Sequence, residues 1–314
     1  MPDTARIDVH QHIVPPVWAR ALEARGLDSG GWAIPSWKAA DAVGMMDRQG
    51  IAVGLLSVTA PGVHFGDDAE ARQLARAVNE YGAEAARKHP GRIGTFASLP
   101  LPDVDAALEE AVYALDILGA DGVTLMSNVR GQYLGDPSFQ PLWEELDRRS
   151  AVVFVHPAQP PMPLLAGTPA PLADYVFDTT RTALNLVLTG AMRRYSKVKV
   201  ILAHGGGFLP YAAYRFAGLT SMVVDKGRDA DDILTDLKRF YFDTALSASP
   251  SALPALLAFA APGHILYGSD WPFAPEEAGA YYNHFLDTDP SLTPEVAAAI
   301  NRVSAQAMFP RLAP

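Results

Sequence analysis

The chain has 314 residues, 49% of them apolar, with a net charge of −10 and no cysteine. Lys and Arg form no basic stripe, which argues against a nucleic-acid partner. The missing thiols exclude disulfides, thiolate metal sites and cysteine nucleophiles. The opening MPDTARIDVH carries no basic segment followed by an apolar run. No apolar stretch approaches the ~18 residues of a membrane span, and the Ala-rich run 252–261 is interrupted by Pro254. A cytoplasmic small-molecule enzyme, folded as one domain over residues 1–314, is the expectation.

Taken in chain order, short β-branched runs alternate with longer helical patterns. Strands are predicted at 7–9, 53–59, 93–99, 122–126, 152–155, 198–203, 240–243 and 265–268. Helices are predicted at 39–49, 69–89, 103–118, 141–149, 174–195, 231–239 and 251–260, with a last one at 294–308. Asp103 and Gly119 bracket one of them as start and stop signals. Eight strand–helix alternations predict a parallel (β/α)8 barrel; an open doubly wound sheet is the competitor, but no GxGxxG follows the first strand. Residues 13–38 are long for a first strand-to-helix loop and carry Trp18, Trp32 and Trp37. They are expected either to wall the pocket as a lid or to form a satellite hydrophobic cluster. The Pro-rich stretch 157–171 reads as a rigid loop.

Polar residues gather where the predicted strands end. The first ends in His10-Gln11-His12, the fifth in His156, the sixth in His204 and the eighth in Asp270. In such a barrel these ends converge on one face, and the alternation of a strand lets His10 and His12 share a side while Gln11 turns away. Imidazoles with a carboxylate suit a divalent cation: zinc first, with manganese the alternative. A single ion is expected, because GVTLM at the fourth strand offers no lysine or carboxylate to bridge two. His204, ahead of three glycines, is more useful as an acid or base than as a further ligand. His64, after the second strand, is a candidate substrate contact. His89, His264 and His284 are expected to be structural or surface residues.

The stretches IDVHQHIVPP, VFVHPA, VILAHGGGFLPY and YGSDWPF resemble the amidohydrolase superfamily, within it the branch of aminocarboxymuconate-semialdehyde decarboxylase and related aromatic-acid decarboxylases. The resemblance implies that His10, His12, His156 and Asp270 hold the metal, that His204 is the catalytic acid/base, and that Phe273 lines the substrate pocket. It also implies a homodimer in which Arg215 reaches into the neighbouring subunit's pocket and binds a substrate carboxylate. Members acting on the muconate semialdehyde carry an arginine in the first helix; AADAVGMMDRQ has none at the matching place. The run FDTTRT instead resembles the 6-methylsalicylate-decarboxylating subgroup and makes Arg181 a candidate for binding a carboxylate or phenolate; pairing with Asp178 is the structural alternative.

Two activities follow as expectations. The first is non-oxidative decarboxylation of an ortho-hydroxy aromatic acid, with His204 and Asp270 protonating the ring carbon. The alternative is metal-assisted hydrolysis of a lactone, ester or amide by the same residues.

Overall fold

In a computed structural model describing residues 5–312, all eight predicted strands form and pair in parallel, in chain order. They are β1 (Arg6–His12), β2 (Ile51–Ser57), β3 (Ile93–Ser98), β4 (Gly122–Met126), β5 (Val152–His156), β6 (Lys199–Leu202), β7 (Tyr241–Asp243) and β8 (Ile265–Leu266). The ends of the sheet meet: Val9 N donates to Tyr267 O at 2.9 Å and Asp270 N to His10 O at 2.8 Å. The result is the predicted (β/α)8 barrel.

Around it run α1 (Pro16–Glu23), α2 (Ala39–Gln49), α3 (Asp68–Lys88), α4 (Val104–Val112), α5 (Gln140–Arg148), α6 (Asp174–Leu188) and α7 (Ala191–Arg194). They continue as α8 (Leu209–Leu219), α9 (Ala230–Leu237), α10 (Ala252–Phe259), α11 (Glu276–Thr288), α12 (Pro294–Ala298) and α13 (Ser304–Met308). The start signal at Asp103 acts as expected: its carboxylate accepts from the Ala106 amide in the first turn of α4, and Asp67 caps α3 in the same way through the Glu70 amide. The helix predicted over 174–195 is two helices, because Gly190 takes a φ of 77° between them. Helix α1 was not anticipated, while α8 and α11 are the helices expected, without bounds, around Arg215 and His284. Two of them start on prolines, which read as loop residues in sequence yet suit a first helical turn.

The interior of the barrel is filled by Ile7, Val9, Val53, Leu55, Phe96, Phe154, Ile201 and Leu266, and the end away from the strand C-termini is plugged by Met308, Phe309 and Leu312. Residues of opposite parity, such as Val123, Leu125, Val153 and Val155, pack outward against the helices. Strand β1 breaks this alternation. Its pairing advances from Asp8 to Gln11 while β2 advances only from Gly54 to Leu56, so β1 holds one extra residue. That bulge lets Ile7 and Val9 face inward and then brings His10 and His12 inward as well. Gln11 turns outward against Gly54, where a Cβ would lie 2.1 Å from its Oε1.

Of the two readings of residues 13–38, the satellite cluster is the one that forms. Trp18 and Trp37 are buried with Ile13, Leu22, Leu56 and Val78 outside the barrel. The segment still braces the mouth: Trp18 Nε1 donates to Gly62 O at 2.7 Å, and Tyr175 Oη to Gly30 O at 2.7 Å.

Candidate metal centre and active site

At the mouth of the barrel, four imidazoles are each fixed through Nδ1. His12 Nδ1 lies 3.1 Å from Ser57 O, His156 Nδ1 2.8 Å from Pro157 O, and His204 Nδ1 3.1 Å from Ala245 O. A carbonyl oxygen can only accept, so each of these nitrogens carries the proton and Nε2 keeps its lone pair. His10 Nδ1 is held in the same way by the Asp243 carboxylate at 2.8 Å.

The Nε2 atoms then converge. His10 Nε2 is 3.1 Å from His12 Nε2, and the two are 3.2 and 3.0 Å from Asp270 Oδ1. Ligand atoms of His10, His156, His204 and Asp270 all lie within 4.8 Å of one another. The His10 and His12 rings sit 5.4 and 4.9 Å from that of His156. Lone pairs so disposed repel unless a cation or proton sits among them, and all but His204 are buried.

Electrostatics say the same. Burial opposes charge on His10, yet Asp243 and Asp270 together raise it to about 10. His156 is pushed well below the ordinary value by burial, then by the neighbouring His12 and His10, and His12 is lowered by burial. Burial works to raise Asp270, but hydrogen bonds and charge from His10 and His12 hold it well below the usual carboxylate range. The cluster therefore draws positive charge to its centre, as a proton on His10 or as a cation in that proton's place, while His12 and His156 stay neutral and Asp270 stays ionised. Those are the protonation states a divalent cation needs, so the residues fit one.

Local backbone geometry explains the motifs. His204, Gly205, Gly206 and Gly207 all take positive φ, from 54 to 75°. A Cβ at Gly207 would stand 2.0 Å from Val176 O, and one at Gly206 2.7 Å from the Phe242 ring, so only glycine fits there. Asp270 also has a positive φ, 62°. Non-glycine residues in this region are strained, and both here are site residues.

Sequence reasoning missed Asp243. One of its oxygens takes His10 Nδ1, while the other accepts from the backbone of His204 at 3.0 Å and of Ala245 at 2.9 Å. Its signal was a carboxylate at the downstream end of an apolar strand. Asp8 was missed as well; it accepts from His10 N and Ser269 N, both at 3.0 Å, and ties the β1 bulge to the end of β8.

The candidate ligands and His204 occupy the β5, β6, β8 and β1 side of the mouth. A cavity of about 400 Å³ opens on the β2–β4 side, reached from Thr59 through Pro61 and from His156 through Ala158. His64 lines it, but both ring nitrogens are engaged, with Asp68 Oδ1 at 2.8 Å and with the Gly66 amide at 3.2 Å. Phe273 stands edge-on to His12, with ring centroids 5.4 Å apart. The expectation for Arg181 is revised: it is exposed on α6 and absent from the cavity lining. Asp178 bonds to Ser127, Asn128 and Tyr133 instead of to Arg181. Arg215 is exposed on α8, outside its own chain's cavity. The cation that does line the cavity is Arg130, which sits at a φ of 52° in the tight turn of a hairpin after β4.

Such a barrel, with a His-rich cation site at the C-terminal ends of its strands, defines a metal-dependent barrel enzyme. The family model "Amidohydrolase" matches residues 7–311, and the chain belongs to that family. It is 40% identical to the 6-methylsalicylic acid decarboxylase of Penicillium expansum, over 98% of this chain and 97% of that one. Its identity to the corresponding Aspergillus aculeatus enzyme is 43%, over 98% and 96%. Among solved structures, an amidohydrolase II superposes with a TM-score of 0.91 at 34% identity, covering 97% and 99% of the two chains. A 2,6-dihydroxybenzoate decarboxylase in complex with 2,6-dihydroxybenzoate superposes with a TM-score of 0.80 at 25% identity, covering 98% and 99%.

Elemental analysis should find one divalent transition metal per chain. His12→Ala, which deletes one of the two Nε2 atoms facing Asp270, should lose it. Full retention would remove His12 from the ligand set.

Proposed function

We propose that the chain is a metal-dependent, non-oxidative decarboxylase of an ortho-hydroxy aromatic acid of the 6-methylsalicylate type. The observation that carries this reading is a cluster of imidazoles and a carboxylate that could hold a cation, at the same barrel mouth as a mostly apolar cavity, in a chain whose full-length relatives are named aromatic-acid decarboxylases. His10, His12, His156 and Asp270 would hold the ion, zinc being the first choice for three imidazoles and a carboxylate and manganese the alternative. When bound, a divalent cation supplies fixed positive charge and Lewis acidity toward the carboxylate and adjacent phenol oxygens.

The chain's residues account for the proton. His204 is held by Ala245 O through Nδ1, so its Nε2 is the free nitrogen; it takes up a proton from solvent or from the substrate's phenol and passes it to the ring carbon bearing the carboxylate. Asp270, through the oxygen not committed to His10 and His12, orients or relays that proton. The new C–H bond takes an electron pair from the ring and aromaticity is lost. The C–C bond to the carboxylate then breaks, its pair returns to the ring, and CO2 leaves. Phe273 lines the substrate's approach beside His12, with His64 at the cavity wall.

Hydrolysis of a lactone, ester or amide by the same groups is the second reading. The two separate on a panel of hydroxybenzoates and lactones, with CO2 release followed against acid release. CO2 from 6-methylsalicylate is expected; acid release alone would overturn the decarboxylase reading. His204→Asn should keep the metal and lose about 10²–10⁴-fold in the chemical step. Metal loss in that variant would make His204 a ligand.

A homodimer completes the reading. Helix α8 and the turn after it expose Tyr211, Tyr214, Met222, Val223 and Val224, a patch that a second copy would cover. Arg215 on the same helix would then serve the neighbouring subunit's carboxylate through a two-point fork. Inactive His204→Asn and Arg215→Ala homodimers, allowed to exchange subunits, should regain activity, because in each mixed dimer one site carries neither lesion. No recovery after confirmed exchange would place Arg215 outside the neighbour's site.

A further inference from the structure

The cavity beside the metal centre has a polar floor that the reading above does not use. On β4, Val123 and Leu125 pack outward into the helical layer, so Thr124 between them faces the barrel interior and the cavity. Its Oγ1 is buried, and it has no hydrogen-bond partner in the protein; the residue is 3% exposed. On β3, Ala97 packs outward in the same way, and Ser98 faces inward directly beside Thr124 in the strand register. The walls above are apolar: Val63, Leu101, Met126 and Ala158. An unsatisfied buried hydroxyl costs roughly 1–3 kcal/mol, and a bound partner recovers that loss.

Geometry places the occupant. The cation site lies on the β5, β6, β8 and β1 side, so a substrate held there by its carboxylate and ortho oxygen extends its ring across the mouth toward β2–β4. The ring position farthest from the carboxylate is the para carbon, and what it carries meets the floor. The floor offers hydroxyls and no charge, since Arg130 sits exposed at the lip. A neutral oxygen substituent suits such a floor; a second carboxylate does not.

We propose that this cavity is a subsite for the far end of the substrate ring. In it, Thr124, with Ser98 beside it, hydrogen-bonds a hydroxyl para to the departing carboxylate. The substrate class is then a 2,4-dihydroxybenzoate, with a small alkyl group accommodated by the apolar walls. This rests on the decarboxylase reading and narrows it.

The test compares 2-hydroxy-6-methylbenzoate with 2,4-dihydroxy-6-methylbenzoate in wild type, Thr124→Val and Thr124→Ser. An added hydroxyl also activates the ring chemically, so the readout is the change in the kcat/KM ratio on substitution. Thr124→Val should cut the preference for the dihydroxy acid by roughly five- to tenfold, the worth of one hydrogen bond. The monohydroxy acid, which cannot make that bond, is the internal reference for the ratio, and Thr124→Ser should keep the preference. Calorimetric binding of 5-methylresorcinol against 3-methylphenol reads the same contact without turnover. There the wild-type protein should favour the diphenol and Thr124→Val should not. An unchanged ratio in Thr124→Val, or equal wild-type binding of the two phenols, overturns the subsite. If neither acid releases CO2 while the phenol preference and its loss persist, the decarboxylase reading fails and the subsite stands.

Discussion

The site depends on one constraint: every histidine at the barrel mouth is tied down by its Nδ1. Three are held by carbonyls that cannot donate and the fourth by a buried carboxylate. With the outer nitrogen committed, ring direction is not free, and the Nε2 atoms of His10 and His12 are left facing Asp270, with His156 and His204 beside them. That arrangement is unfavourable in a protein alone. The rest of the structure maintains it, and a cation relieves it.

Several local departures from regular structure serve that convergence. The bulge in β1 changes which face its residues present, so that one strand both fills the barrel core with Ile7 and Val9 and lends His10 and His12 to the centre. The left-handed run from His204 to Gly207 swings the β6 histidine over the mouth before α8 begins. Asp243 joins the two halves: it holds the ring of His10 and the backbone of His204, so the candidate ligand and the proposed acid/base residue share one support. The cavity on the opposite side of the mouth has apolar walls with hydroxyls below them.

Much of this was legible in the sequence, for a physical reason. Strands of a barrel are buried on both faces, so their apolar β-branched runs stand out, and all eight were found within a few residues. The ligands were legible because polar side chains at the ends of such runs are costly unless they have a task. Asp243 escaped because it ends a three-residue strand, where one carboxylate looks like a loop beginning. The bulge escaped because nothing in IDVHQH distinguishes a bulged strand from a regular one. The bounds of helix α8 were hidden behind the glycines and Pro210, and the side of α6 that Arg181 takes depends on how Asp178 pairs with the hairpin after β4. Thr124 was visible only as one more β-former; its lack of a partner is a property of packing.

The claim beneath all of this is that the converging Nε2 atoms and Asp270 form a single cation site on which decarboxylation depends. The direct measurement is a titration. Protein stripped of metal by a chelator is reloaded stepwise with zinc or manganese while CO2 release from 6-methylsalicylate is followed. The account predicts release that is absent in the stripped protein, rises linearly, and breaks at one ion per chain. Release that survives stripping, or none at full occupancy, would contradict it.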